Sequence, residues 1–160
     1  ISNLLKISKK VKEISKKNNV KFIINDKPII ARAVDADGCH IGQKDEDYIT
    51  ARKILGKNKI IGITCHNSKK LAIKAKKDGA NYVAFGSFFK SSTKKTTFKA
   101  NLELLRWAKK KINMPTIAIG GINNSNYNKI LLNGADYIAC SNYVWKNKKL
   151  DPVSAINKFK

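Results

Sequence analysis

Short apolar runs rich in β-branched residues alternate along the chain with segments in which apolar residues recur three and four positions apart. The short runs are nearly continuous in hydrophobicity, as strands covered on both faces are. The intervening segments have the period of helices with one buried face. The pattern therefore predicts helices alternating with six strands, at residues 20–25, 38–42, 59–65, 82–86, 115–121 and 137–142.

Residues at the segment ends support these helices. Asp47 and Ser68 are good N-terminal caps, and Asp151 precedes a proline suited to the first helical turn. Three glycines suit the position that follows a helix: Gly56, Gly79 and Gly134. The first helix carries an apolar stripe formed by Leu4, Ile7, Val11 and Ile14. The last helix, from Pro152 to about Phe159, is predicted to bury Val153, Ile156 and Phe159.

A short internal repeat precedes three of the strands, in the forms 36-ADGCHIG-42, 79-GANYVAFG-86 and 134-GADYIACS-141. Regular alternation with such repetition favours parallel strands joined by right-handed crossovers. A doubly wound open sheet and a (β/α)8 barrel both fit, and the polar residues that follow the strands favour the barrel. A barrel needs eight strands. Because the chain starts at Ile1 and its only methionine is Met114, we expect the first two strands to lie upstream.

Composition limits the classes of function. The chain has 160 residues without a Pro/Gly/Ser-rich linker, so residues 1–160 are predicted to form a single domain. No apolar run is long enough to span a membrane and no signal peptide is evident, which predicts a cytoplasmic protein without a membrane partner. Cys39, Cys65 and Cys140 lie in apolar runs without a CxxC pair, so buried thiols are expected.

The formal net charge of +22 raises the question of a nucleic-acid partner. However, only three of the 33 basic residues are arginines, and the lysines are spread over every helical segment. Such charge bears on solubility and non-specific binding more than on a dedicated site. We therefore expect no nucleic-acid partner. The oligomeric state stays open, with a homo-oligomer as one option.

Polar residues that follow the predicted strands form the candidate site. In chain order they are Asn25 and Asp26; Gln43 and Asp45; Thr64 and His66; Ser91, Ser92, Thr93 and Lys94; Gly120 and Gly121; Ser141 and Asn142. Carboxylates on neighbouring strands are ligands that suit Mg²⁺ and not zinc. Hydroxyls, a lysine and glycine amides without acids suit phosphate. The set predicts a site for a phosphorylated ligand together with a metal-bound pyrophosphate.

Each of these features also has a simpler structural explanation. Asp26 is a common turn former, and Asp45 precedes a predicted helix. The pair Gly120-Gly121 is a weak signal by itself, and residues 91–95 fit a solvated loop. His66 is more simply read as a hydrogen-bonded structural residue than as a base. The prediction of a phosphate and metal site therefore rests on the occurrence of all these residues together after the strands, and not on any one of them.

Six segments together resemble the thiamine-phosphate synthase family in order and spacing over nearly the whole chain: 22-FIIND-26, 36-ADGCHIGQKD-45, 51-ARKILG-56, 60-IIGITCH-66, 79-GANYVAFGSFFKSSTKK-95 and 117-IAIGGI-122. The resemblance implies a (β/α)8 barrel that joins 4-amino-2-methyl-5-(diphosphomethyl)pyrimidine to thiazole phosphate. The products would be thiamine phosphate and pyrophosphate, with Mg²⁺ as cofactor.

The resemblance also implies roles for individual residues. Asp26 and Asp45 would hold Mg²⁺. Asn25, Thr64 and Lys94 would contact the pyrimidine diphosphate, with Lys94 and Thr64 acting in catalysis. The thiazole phosphate would be held by Ser91, Ser92, Thr93, Gly121, Ser141 and Asn142.

Two departures leave alternatives open. Ser87 occupies the place where related thiazole tautomerases carry an acid/base histidine, which disfavours tautomerase activity by that route. The family's Gln-x-Arg-x-Lys segment has no counterpart in the chain. A thiazole tautomerase-like protein and a non-catalytic phosphate-binding homologue therefore remain alternatives to the synthase.

Overall fold

The computed structural model describes residues 2–90 and 97–159. Within these ranges six strands alternate with eight helices. The strands are β1 Ile23–Asn25, β2 Gly38–Ile41, β3 Ile60–His66, β4 Tyr82–Gly86, β5 Thr116–Ile119 and β6 Tyr137–Ala139. The helices are α1 Ser2–Lys17, α2 Pro28–Ala33, α3 Tyr48–Leu55, α4 Lys69–Asp78, α5 Leu102–Lys111, α6 Tyr127–Leu132, α7 Asn142–Trp145 and α8 Pro152–Ile156. All six predicted strands are present.

The described residues divide into two compact units, one within 1–64 and 77–81 and the other within 65–76 and 82–160. In the first unit β1, β2 and β3 pair in parallel and in chain order. In the second unit β4, β5 and β6 do the same. Parallel neighbours in chain order, each joined through a helix, have the topology of consecutive barrel units. The prediction of a single domain over residues 1–160 stays a prediction.

The strands of the first unit have one buried apolar face. On this face Ile24, Cys39 and Ile61 occupy paired positions, and each is at most 8% exposed. Successive side chains of a strand point to opposite faces. Asn25, His40 and Thr64 therefore share the other face, where they are half-buried or exposed. The alternation of side chains along these strands therefore places the polar residues on one face and the apolar core residues on the other.

The internal repeat has a structural cause. Asp37, Asn81 and Asp136 occupy the same position of the repeat, and the side-chain oxygen of each accepts a hydrogen bond from a backbone N–H near the start of a strand. The donors are Phe22, Ile61 and Thr116 respectively, at 2.8–2.9 Å. The backbone N–H of each repeat residue in turn donates to the carbonyl of the same donor residue.

A cation from the helix that precedes the donor strand also reaches each repeat residue. Lys12 of α1 lies 2.9 Å from Asp37, Arg52 of α3 lies 3.2 Å from Asn81, and Lys109 of α5 lies 2.7 Å from Asp136. The repeated residue therefore ties together a helix, the start of the next strand and the turn that follows the next helix. This triple contact explains why the same short sequence recurs three times.

Two short helices were not predicted from the sequence. Helix α2 has six residues, and its adjacent Ile29 and Ile30 do not show the helical period over so short a length. Helix α7 has four residues and begins at Asn142, so the predicted strand 137–142 ends at Ala139. The proposed caps Asp47, Ser68 and Asp151 do accept backbone N–H hydrogen bonds.

The predicted burial of the terminal helices was wrong in part. Val153 is 69% and Ile156 is 56% exposed, because α8 has only five residues and buries Ala155 instead. Phe159 is half-buried, with edge contacts to Tyr127 and Tyr143 at 5.2 Å between ring centroids. The apolar stripe of α1 has the expected period but is exposed. Within the described residues, none of the helices has both the length and the apolar character that crossing a bilayer requires.

Candidate active site

Asp26 stands at the end of β1, where the chain turns. Its φ of +63° lies in the left-handed region, which aspartate tolerates better than most residues. Its backbone N–H donates to the carbonyl of His40 at 2.7 Å, which fixes the turn to the neighbouring strand. Asp26 is thus both a turn residue and a carboxylate held at the carboxyl end of a strand. The structural and the functional explanation of this residue are compatible.

Asp45 lies in the loop that follows β2. The backbone N–H of Gly42 donates to its Oδ2 at 2.8 Å, and its own N–H donates to the Gly42 carbonyl at 3.4 Å. A Cβ at position 42 would lie 2.8 Å from that carboxylate oxygen, so glycine leaves space for this orientation. Gln43, which follows Gly42 in the same loop, donates from its side chain to the Thr64 backbone carbonyl at 2.6 Å. The loop that carries Asp45 is therefore tied to β3.

The carboxylates of Asp26 and Asp45 both act electrostatically on the same buried thiol, that of Cys39. Burial raises the pKa of Cys39 to about 11, and the negative charges of Asp26 and Asp45 add to the increase, against a backbone hydrogen bond from Lys27 that lowers it. Because β1 and β2 are neighbouring strands, the two residues predicted to hold Mg²⁺ follow adjacent strands, and their sharing of one metal ion stays a prediction.

The donor set of this region fits magnesium. Among residues 2–90 and 97–159, no group of three or more His, Cys, Asp and Glu side chains is placed to hold a metal ion. Mg²⁺ is commonly held by one or two carboxylates, with waters and substrate phosphates as the other ligands. Asp26 and Asp45 match this pattern, whereas a structural zinc site would need more protein ligands.

Thr64 projects from β3 on the polar face and is hydrogen-bonded to a residue that the sequence analysis did not single out. His40 Nε2 lies 2.7 Å from Thr64 Oγ1. In the strand register His40 is paired with Asn25. Asn25, His40 and Thr64 therefore lie on the same face of three neighbouring strands, β1, β2 and β3. The period-2 pattern of β2, which sets His40 between the buried Cys39 and Ile41, was the available signal.

In the second unit, Gly120 and Gly121 follow β5 with φ values of +102° and +65°. Phe88 and Phe89 donate backbone hydrogen bonds to Ile119 and Gly120, at 3.2 and 3.0 Å, so the chain after β4 runs against the diglycine. A Cβ on Gly121 would lie 2.5 Å from the Lys90 carbonyl oxygen. Glycine is therefore required by the close approach of two backbones, in addition to any role of its amide in binding phosphate.

The remaining predicted phosphate ligands are partly described. Ser141 is exposed and directly precedes α7, and Asn142 is the half-buried first residue of that helix. Both follow β6 at its carboxyl end, as predicted. Ser91, Ser92, Thr93 and Lys94 lie outside the described residues.

His66 has the features of a packing residue. Its ring stacks on Phe98 with 4.0 Å between centroids and 19° between planes. Burial lowers the pKa of His66, which favours the neutral imidazole. The buried thiols expected at Cys39 and Cys65 are confirmed, and burial raises the pKa of Cys65 to about 12. The same expectation was wrong for Cys140, which is only half-buried.

The sequence model of the thiamine monophosphate synthase family matches residues 2–144. The chain belongs to that family. Membership confirms the family predicted from the sequence, and with it the predicted thiamine-phosphate synthase function, a transferase activity.

Two curated relatives extend the family match over most of the chain. The thiamine-phosphate synthase of Pelagibacter ubique is 56% identical over 158 residues, which cover 99% of this chain and 76% of the relative. The thiamine-phosphate synthase of Rhodospirillum centenum is 40% identical over 141 residues, which cover 88% of this chain and 68% of the relative.

Solved structures confirm the fold class. A thiamine phosphate pyrophosphorylase from Pyrococcus furiosus matches with a TM-score of 0.90 and 31% identity, covering 99% of this chain and 74% of its own. The predicted α/β fold, a (β/α)8 barrel with about six of its strand–helix units in this chain, is therefore correct. A 3-hexulose-6-phosphate synthase matches with a TM-score of 0.64 at 18% identity, which shows a shared fold alone.

Proposed function

We propose that this synthase joins 4-amino-2-methyl-5-(diphosphomethyl)pyrimidine to thiazole phosphate, giving thiamine phosphate and pyrophosphate, with the first unit binding the pyrimidine diphosphate. The observation that supports this most directly is the polar strand face that carries Asn25 and Thr64, with Asp26 and Asp45 in the turn and the loop that follow β1 and β2. An anionic diphosphate needs a cation and hydrogen-bond donors. The carboxylates of this region can bind the cation, and its polar side chains can donate hydrogen bonds to the diphosphate.

Asp26 and Asp45 would hold Mg²⁺ in this proposal. When bound, Mg²⁺ supplies positive charge that stabilises the diphosphate leaving group. The turn fixes the backbone of Asp26, and the Gly42 N–H orients the Asp45 carboxylate, so this part of the site would need little reorganisation on binding.

The other residues of the proposed site position the reactants. Asn25 and Thr64 would hydrogen-bond the pyrimidine diphosphate, and Lys94, outside the described residues, would neutralise charge on the departing pyrophosphate. The C–O bond to the diphosphate breaks with its electron pair going to pyrophosphate, and the thiazole nitrogen supplies the pair for the new C–N bond. No nucleophilic side chain is required, so positioning and charge stabilisation carry the catalysis.

The thiazole phosphate is assigned to the second unit. Backbone amides at Gly121, together with the side chains of Ser141 and Asn142, would hold its phosphate, since bare glycine amides approach an anion closely. Ser91, Ser92 and Thr93 are proposed as further ligands of this phosphate. A cytoplasmic location also belongs to this proposal, and fractionation of cells that express the protein would test it.

The experiment that tests the proposed function measures thiamine phosphate formation by the complete gene product from both substrates, read by conversion to fluorescent thiochrome. We expect product only when Mg²⁺ and both substrates are present, and loss of product on chelation that excess Mg²⁺ reverses. A folded protein that forms no thiamine phosphate would contradict the proposal.

Calorimetric titration separates the synthase from a non-catalytic homologue. A synthase should bind the pyrimidine diphosphate in a manner that depends on Mg²⁺ and on Asp26. A protein that only binds phosphorylated thiazole would bind thiazole phosphate equally well with Asp26→Asn and without Mg²⁺.

A further inference from the structure

The hydrogen bond between His40 and Thr64 joins two half-buried side chains on the polar face of the first unit, at 2.7 Å between Nε2 and Oγ1. We propose that His40 is a positioning residue, which donates from Nε2 to Thr64 so that the threonine hydroxyl presents its own hydrogen to the pyrimidine diphosphate. This inference rests on the proposed function, because it assumes an anionic ligand at Thr64.

The strand register explains why these two residues meet. His40 of β2 is paired with Gly62 of β3, and Thr64 is two residues further along β3 on the same face. Diagonal neighbours of this kind are within reach of a long aromatic side chain. Gly62 presents no side chain between them, so the imidazole can extend along the face to the hydroxyl.

Thr64 is held at its backbone as well as at its side chain. The Gln43 side chain donates to the Thr64 carbonyl at 2.6 Å, and the β-branched side chain of threonine has few χ1 rotamers. Its hydroxyl can still rotate its single hydrogen. The imidazole restricts that rotation, because a group that donates to Oγ1 forces the hydroxyl hydrogen to point away from it.

The direction of the hydrogen bond follows from the ligand. A threonine hydroxyl has one donor hydrogen, and a diphosphate oxygen accepts hydrogen bonds but does not donate them. If Nε2 accepted from Thr64, that hydrogen would be used within the protein and the ligand would meet only lone pairs. The Nε2–H tautomer is therefore the one that lets Thr64 bind the anion.

Nitrogen NMR of the histidine side chains tests this tautomer without reference to activity. The His40 signals are assigned by their loss in His40→Ala, and the chain has only one other histidine, His66. We expect the Nε2–H form of His40, with its Nε2 signal shifted in Thr64→Val. An Nδ1–H form, or an Nε2 signal that Thr64→Val leaves in place, overturns the inference.

A double-mutant cycle tests the functional consequence. We expect Thr64→Val and His40→Ala each to lower kcat/KM for the pyrimidine diphosphate by roughly tenfold, the effect of losing one hydrogen bond to a charged group. In the Thr64→Val background, His40→Ala should cause no further loss. His40→Gln, whose amide N–H is a donor, should recover part of the activity.

His66→Gln is the matched control, since His66 is the other histidine and stacks on Phe98. Its effect, whatever its size, should be the same in the parent and in Thr64→Val. Additive losses for His40→Ala and Thr64→Val would overturn the positioning role while the synthase activity of the parent stands. A folded parent that neither forms thiamine phosphate nor binds the pyrimidine diphosphate would instead end the proposed function, and the positioning role with it.

Discussion

At the scale of single residues, Asp26 combines a left-handed backbone with a proposed metal-binding side chain. We expect Asp26→Asn to lower kcat at saturating substrate by about 10²-fold, since it removes a charge that would hold the metal in the transition state. The turn should survive, because asparagine also tolerates the left-handed region. Steady-state kinetics across a range of Mg²⁺ concentrations measures this effect.

Asp47→Asn provides the control for Asp26→Asn. Asp47 caps α3 by accepting from the Thr50 N–H at 2.9 Å, and asparagine is an equally good cap. This variant removes one carboxylate two residues from Asp45 and should leave kcat unchanged. Equal kcat in Asp26→Asn and the parent would contradict the metal assignment.

Gly42 provides a second test of the proposed magnesium site. An added Cβ would lie 2.8 Å from Asp45 Oδ2, so Gly42→Ala should displace the carboxylate that the Gly42 N–H now orients. We expect a several-fold higher Mg²⁺ concentration for half-maximal activity, as for other changes to groups that orient a metal ligand.

A titration of activity with Mg²⁺ measures the effect of Gly42→Ala, and thermal unfolding without metal serves as its control. The melting temperature without metal should stay close to that of the parent. An unchanged Mg²⁺ dependence would show that the orientation of Asp45 by Gly42 does not matter for the metal.

At the scale of secondary-structure elements, Asp37 ties α1 to the starts of β1 and β2. The backbone hydrogen bond from Phe22 lowers the pKa of Asp37 to about 2, against burial that raises it, and Lys12 lowers it further. We expect Asp37→Ala to lower the free energy of unfolding by about 1–2 kcal/mol, because the Phe22 N–H loses its acceptor. Asp37→Asn should cost less, as asparagine fills the same role at Asn81. Urea unfolding at pH 7 measures both changes.

The pH dependence of Asp37 follows from the sign of its pKa shift. Because the folded pKa lies below the usual value of about 3.9, the contribution of the carboxylate is present above that value and is lost as the pH falls toward 2. The parent should therefore lose more unfolding free energy than Asp37→Asn between pH 5 and pH 2. Parallel stability curves for the two proteins would contradict this account.

The elements also show how far sequence reasoning reaches. Six apolar runs predicted six strands, since strands of a parallel sheet that are covered on both faces form nearly continuous apolar runs. Helix α2 was missed because six residues are too few for the helical period to appear. The positions of Asp26, Asp45 and Thr64 at strand ends were predictable, whereas the His40–Thr64 contact depends on the register of two strands, which local sequence does not specify.

At the scale of the whole molecule, the net charge of +22 is large for 160 residues. Lysines lie on α1, α4 and α5, and much of this charge is spread over exposed helix surfaces. Both proposed substrates are anionic, so a positive surface would raise their local concentration near the protein. The same charge should attract any polyanion without selecting among sequences.

We therefore expect unrelated DNA duplexes to bind with similar affinity at low salt and to dissociate at moderate salt. Binding that rests on the release of phosphate counterions falls by roughly 10³-fold or more between 50 and 200 mM salt when several phosphates are contacted. A filter-binding series over this range, with two duplexes of different sequence, measures both properties. Retained affinity at 200 mM salt, or a clear preference for one duplex, would indicate a dedicated nucleic-acid site, because dispersed lysine charge selects no base sequence and is screened by salt.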